Sequence, residues 1–279
     1  MIDPANEALY NNRALVPDHM STIDWWAQKS AETLIITDGA LGVPYGDSAR
    51  QFIDIFPASA DTAPIMVFIH GGYWQGLDPS FFSFIAPALN DLGFCVAVVG
   101  YDLCPDVTVG DITGQIQAAC IFLHDHCADY NTDGTQIYVS GHSAGGHLTA
   151  EMMATDWTAL RPDLPRDLIK GGMAISGVYD LQPLVKTSIN DKVGFDQQSA
   201  KENSPIFRKP VSSGPLALIV GASESQGFHD QSDRLQDAWA KDLHFISRVD
   251  IAGKDHFTVV NQMAEPNSPM IQVVASLLG

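Results

Sequence analysis

From residue 63 onward, apolar positions fall into short continuous runs separated by segments of helical period, the pattern of a mostly parallel sheet covered on both faces. The runs are Ile65 to His70, Phe94 to Tyr101, Gln136 to Gly141, Gly171 to Ser176, Leu216 to Ala222 and His244 to Ile251. They are continuous rather than alternating, so they predict strands buried on both sides. The last alternates in part and is placed near an edge. Helices are predicted near Ser80 to Leu92, Val109 to Cys127, Gly145 to Thr155 and His229 to Lys241. A further helix starts at about Pro269, with Ser268 as N-cap. Ahead of the sheet, Thr33 to Thr37 and Arg50 to Phe56 predict an antiparallel hairpin. Gly177 to Lys209 shows little periodicity and is read as a cap inserted over the strand ends and the active site. The expected fold class is α/β, a single domain spanning residues 1–279.

Chemistry enters where two of these runs end. After Gln136 to Gly141 comes GHSAGG, a G-x-S-x-G that follows a strand and opens a helix, the setting of a nucleophile elbow. Ser143 is the candidate nucleophile, held on a turn too sharp for side chains at Gly141 and Gly145. After Ile65 to Ile69 comes HGGYW, whose glycines let a loop approach a substrate closely. The amides of Gly72 and Tyr73, with that of Ala144 at the helix start, are the candidate oxyanion donors. His70 is read as a brace for this loop.

A serine hydroxyl needs a base, and the base an acid, in the chain order Ser, acid, His. Only His256, in GKDHF, follows the last strand. His229 and His244 are placed on a helix start and within a strand, where reaching Ser143 is awkward. Glu224 begins the loop after Leu216 to Ala222 and is the candidate acid, with Asp230 and Asp233 as alternatives in the following helix. Trp74 and Tyr179 are read as an aromatic wall for a planar substrate, with core packing as the alternative.

Composition narrows the partners. The 33 acidic residues outnumber the 15 basic ones for a net charge of −18, which argues against nucleic acid and against anionic lipid. The same charge does not steer a substrate bearing a carboxylate, so local donors such as Ser188 or Asn190 would have to hold one. The start, MIDPANEALY, has no basic and apolar leader, and no stretch is apolar enough to span a membrane, which predicts a cytoplasmic location. Cys95, Cys104, Cys120 and Cys127 form no C-x-x-C pair and are read as reduced. His124 and His126 sit two apart and diverge on a helix, so no metal is expected. With no G-x-G-x-x-G after the first strand and no P-loop, no cofactor is expected either. A small-molecule substrate is the expected partner, and a homodimer is left open.

HGGYW at 70–74, GYDLCP at 100–105, GHSAGGH at 141–147, SGVYDLQPL at 176–184 with TSIN at 187–190, GASESQGFHDQS at 221–232 and DHF at 255–257 resemble the kynurenine formamidase (arylformamidase) branch of the α/β-hydrolase superfamily. The resemblance spans most of the chain from about residue 50. It implies Ser143 as nucleophile, His256 as base, Glu224 as orienting acid, and Gly72, Tyr73 and Ala144 as oxyanion donors. It also implies hydrolysis of an N-formyl aromatic amine. One departure is Glu224, where relatives usually carry an aspartate, so the acid arm is one methylene longer. A broad carboxylesterase is the alternative activity, and a non-catalytic ligand-binding member of the fold a more distant one.

Overall fold

Side chains alternate between the two faces of each strand, and here both faces are covered. From β3 (Ala63–Ile69), Ile65, Val67 and Ile69 pack into one buried cluster, while Met66 and Phe68 enter the other. The computed structural model describes residues 1–277. The other strands are β1 (Ala40–Pro44), β2 (Phe52–Phe56), β4 (Cys95–Val99), β5 (Thr132–His142), β6 (Ile169–Ile175), β7 (Leu216–Gly221) and β8 (Ile246–Ile251). All eight form one sheet in the order β1-β2-β4-β3-β5-β6-β7-β8. β2 pairs antiparallel with β1 and β4, and the other pairs are parallel. As predicted, β8 lies at an edge.

The helices are α1 (Pro4–Tyr10), α2 (Asn12–Leu15), α3 (His19–Ile36), α4 (Ala86–Asp91), α5 (Val109–Asp125), α6 (Ala144–Met153), α7 (Trp157–Leu160), α8 (Asn190–Val193), α9 (Gln197–Glu202), α10 (Gln226–Trp239) and α11 (Pro269–Leu277). Ile112 and Ile116 of α5, Leu148 and Met152 of α6 and Leu235 of α10 cover one face of the sheet. Trp26 of α3, Leu89 of α4 and Ile271 and Val274 of α11 cover the other. Among the described residues, no helix is long and apolar enough to cross a membrane.

Two expectations are corrected. Thr33 to Thr37 is no strand: it is the last turn of α3 and its cap, and β2 takes Ala40–Pro44 as its hairpin partner. The Thr33 hydroxyl donates to the Lys29 carbonyl at 2.9 Å, which ties this β-branched residue into the helix. The helix expected over Ser80 to Leu92 is α only from Ala86 to Asp91 and is preceded by two 3₁₀ turns. Pro87 explains the late start, because it lacks the N–H that an earlier turn would need.

Parallel register brings the loops that matter to one edge. Ile69 of β3 pairs with Gly141 of β5, and His142 with Ile175 of β6, so these three strands end level with one another. Ligands in sheets of this class bind outside the carboxyl ends of the strands.

Candidate active site

Between β5 and α6 the chain turns on one residue. Ser143 has φ 57° and ψ −114°, a left-handed conformation that a non-glycine residue holds only at a cost of about 1–3 kcal/mol. Its amide donates to the Ile175 carbonyl at 2.8 Å, which pins the turn to β6. A Cβ on Gly145 would run into the Ile69 carbonyl, so α6 can lie this close to β3 only with glycine there.

His256 and Glu224 meet this hydroxyl. Glu224 Oε2 lies 2.7 Å from His256 Nδ1, and an ionised carboxylate only accepts, so Nδ1 carries the proton. Nε2 is then the acceptor, 3.0 Å from Ser143 Oγ. The other Glu224 oxygen accepts from the Gly221 amide at 2.7 Å and the Ser176 hydroxyl at 2.5 Å, which leaves the side chain fully buried with both oxygens partnered. This accounts for the extra methylene: the longer arm reaches back to the end of β7 while still facing the imidazole. Asp230 and Asp233 stay on α10, where Asp230 accepts from Gln226 and Asp233 pairs with Arg248.

Two residues that sequence reasoning passed over hold His256 in place. His142, the variable residue of G-x-S-x-G, donates through Nε2 to the His256 carbonyl at 2.7 Å. Burial and the neighbouring His256 push its pKa down to about 3, which keeps it neutral for that task. Ser176, the second partner of Glu224, follows β6 with φ 51°. The available signal for both was their placement at the ends of buried runs.

The HGGYW loop faces the same point. Gly72, Tyr73 and Trp74 have φ of 102°, 52° and 56°, three successive left-handed residues that coil the loop, and Gly72 and Tyr73 line one cavity with Ser143. Among the hydrogen bonds of the described residues, the amides of Gly72, Tyr73 and Ala144 have no acceptor. The loop is held from outside: the Tyr73 hydroxyl donates to the Tyr10 carbonyl at 2.7 Å, and Trp74 accepts from the Cys104 amide at 2.7 Å. His70 is wholly buried, stacks on Tyr101 at 4.1 Å and bonds the Gly71 carbonyl, and burial lowers its pKa to about 4.

Ser143 and His256 open into a cavity of about 120 Å³ whose roof comes from the N-terminal segment, through Asn12, Arg13, Ile23 and Trp26. No residue of 177–209, the segment expected as a cap, lines this cavity. That segment docks on the N-terminal helices instead, with the Ser188 hydroxyl donating to Glu7 at 2.6 Å and the Asp3 amide to the Lys186 carbonyl at 2.8 Å. Ser188 and Ile189 line an adjoining cavity of about 370 Å³, which shares Asn12, Arg13 and Tyr73 with the first.

Three further readings change. Trp74 is fully buried against His147 and Phe195, away from the Ser143 cavity. Tyr179 is equally buried, its amide held by Gln231 at 2.8 Å. Both pack into the core, and the aromatic wall is built instead by Trp26, Tyr73 and Phe257. Asn190 spends its side chain bridging Val185 and Phe195, which closes a turn and leaves no donor for a substrate. His124 and His126 bond Gly134 and Asp129, and among the described residues no His, Cys, Asp and Glu cluster has the makings of a metal site. All four cysteines are free thiols.

Similarity to known proteins bears on the family. The BD-FAE family model matches residues 53–185. The kynurenine formamidase of Danio rerio is 29% identical over 251 residues, covering 88% of this chain and 83% of its own length. That of Drosophila melanogaster is 30% identical over 245 residues, covering 84% of this chain and 79% of its own. A solved structure from Silicibacter sp. tm1040 with a provisional thioesterase assignment superposes with a TM-score of 0.84 at 31% identity, covering 95% of this chain and 97% of its own. With an elbow serine facing a histidine and a carboxylate on an eight-stranded sheet of this order, the chain belongs to the kynurenine formamidase family of α/β-hydrolases and is a serine hydrolase of formamidase or esterase type.

Proposed function

We propose that the chain removes a formyl group from an aromatic amine, as in N-formylkynurenine, through a formyl-enzyme on Ser143. The observation that carries this reading is the unbroken relay from Glu224 through His256 to Ser143, at 2.7 Å and 3.0 Å, opening into a cavity of only about 120 Å³. A one-carbon acyl group needs little of that space.

The chemistry follows from the contacts. His256 Nε2 takes the Ser143 proton as Oγ attacks the formyl carbon, and the imidazolium so formed faces the buried Glu224 carboxylate. Negative charge on the carbonyl oxygen is met by the amides of Gly72, Tyr73 and Ala144, each such donor being worth on the order of 3 kcal/mol. His256 returns the proton to the departing amine. Water, deprotonated by the same imidazole, then releases formate. The same relay suits a short-chain ester, and this second reading differs in the acyl chain and the leaving group.

Turnover of N-formylkynurenine against p-nitrophenyl acetate separates the two. A kcat/KM for the formamide at least equal to that for the ester is the expected result, and an ester preference of orders of magnitude overturns the first reading.

The acid arm gives a second prediction. Glu224→Ala lowers kcat by about 10⁴-fold, less than loss of the base, because an orienting acid is partly replaceable. Glu224→Asp falls between, since a shorter arm cannot reach both His256 and the Gly221 amide. Steady-state rates of the two variants beside Asp230→Ala check this. A silent Glu224→Ala with a crippled Asp230→Ala would reassign the acid.

A further inference from the structure

Arg13 is placed where a charge has work to do. It lines both the cavity at Ser143 and the adjoining one of about 370 Å³. Arg161, Arg208, Arg234 and Arg248 each pair with a carboxylate. Arg13 has no ion pair and no hydrogen bond among the described residues, although the chain holds 33 acidic groups against 15 basic ones. Glu7, on the preceding helix, is no partner: its carboxylate accepts from Asn11 and from both the amide and the hydroxyl of Ser188.

A second observation points to the same spot. Asn12 is only 4% exposed and lines both cavities, yet its buried amide nitrogen has no acceptor. A buried donor without a protein partner takes its acceptor from a water or from a ligand, and this one borders two cavities. The exposed Arg13 guanidinium and the buried Asn12 amide line the same two cavities, and donors of these types suit a planar carboxylate.

We infer that Asn12 and Arg13 form an anion-recognition site that selects substrates whose leaving group carries a carboxylate. This rests on the reading of Ser143 as the nucleophile, which puts the acyl carbon in the smaller cavity and lets the leaving group extend past Tyr73 into the larger. It also resolves an electrostatic difficulty, because a molecule of net charge −18 repels an anionic substrate at long range and needs a local cation to hold it. The site replaces Ser188 and Asn190, whose polar groups are consumed by Glu7 and by a turn.

The test compares 4-acetoxybenzoate with its methyl ester, which share a scissile bond and differ in one charge. In the wild type the acid is the better substrate. Arg13→Ala lowers the ratio of the two kcat/KM values by at least about 20-fold, through KM; Arg13→Glu lowers it further, and Arg13→Lys restores part of it. A loss common to both esters with the ratio unchanged would assign Arg13 to the roof's structure alone and overturn the inference. Calorimetric titration of the wild-type protein with benzoate and with benzamide gives a readout that needs neither a variant nor turnover. Benzoate binding at least tenfold tighter is expected, and equal binding overturns the inference. Failure to hydrolyse N-formylkynurenine would overturn the formamidase reading while leaving these measurements to decide on Arg13.

Discussion

Ser143→Ala is expected to lower kcat by about a million-fold while leaving the protein folded, as removal of the nucleophile does in hydrolases of this chemistry. The hydroxyl is the only group in the site able to form the acyl bond, and its single hydrogen-bond partner among the described residues is His256. Deleting one oxygen at the buried Ser143 removes a single atom from the packing, so the unfolding free energy should change by less than about 1 kcal/mol. Two measurements check this. Kinetics give the rate, and a fluorophosphonate probe should label the wild type and not the variant. Retention of more than a few per cent of activity would end the acyl-enzyme account.

Loss of the base should be nearly as severe. His256→Ala is expected to lower kcat by about 10⁵–10⁶-fold, and the double variant with Ser143→Ala should be no worse than either alone, because the two act as one unit. The alanine variant also strips Glu224 of its imidazole N–H donor. Glu224 keeps the Gly221 amide and the Ser176 hydroxyl, but the carboxylate is buried, so some stability goes with the imidazole. His256→Gln separates the effects: its amide can still donate to Glu224 yet cannot take a proton. Equal inactivity in both variants, with the glutamine form melting closer to wild type, identifies proton transfer as the function lost. Near-normal turnover by His256→Gln would remove His256 from the mechanism.

What could be read from the sequence was what local pattern encodes. The runs that became β3 to β7 are apolar because both faces of the sheet are covered there, so composition marks them directly, while the edge strand β8 alternates. Ser143, His256 and Glu224 stand out because a turn between a strand and a helix, and loops after strands, leave signals in glycine and in chain order. The roof left none. α3 turns Trp26, Ser30 and Thr33 inward and leaves Leu34, Ile35 and Ile36 on the surface, so its hydrophobic residues do not trace its buried face. The β-branched run at its end then reads as a strand. Trp74 and Tyr179 misled for a related reason: large aromatics serve a core and a binding wall equally well, and only the backbone path decides. Ser188 and Asn190 are polar residues in a loop, and which partner consumes them is a long-range fact, as with Glu7, 181 positions away from Ser188.

The roof over Ser143 comes from residues 12–26, yet part of what it rests on lies more than two hundred positions later. Trp26 donates to Asn261 across 235 positions, and Leu9 accepts from Ser225. A growing chain can stack its central strands long before these partners exist. Closing the chamber over the serine therefore waits on contacts far along the chain, and loss of the Asn261 acceptor would free the indole of Trp26 that helps to cover it.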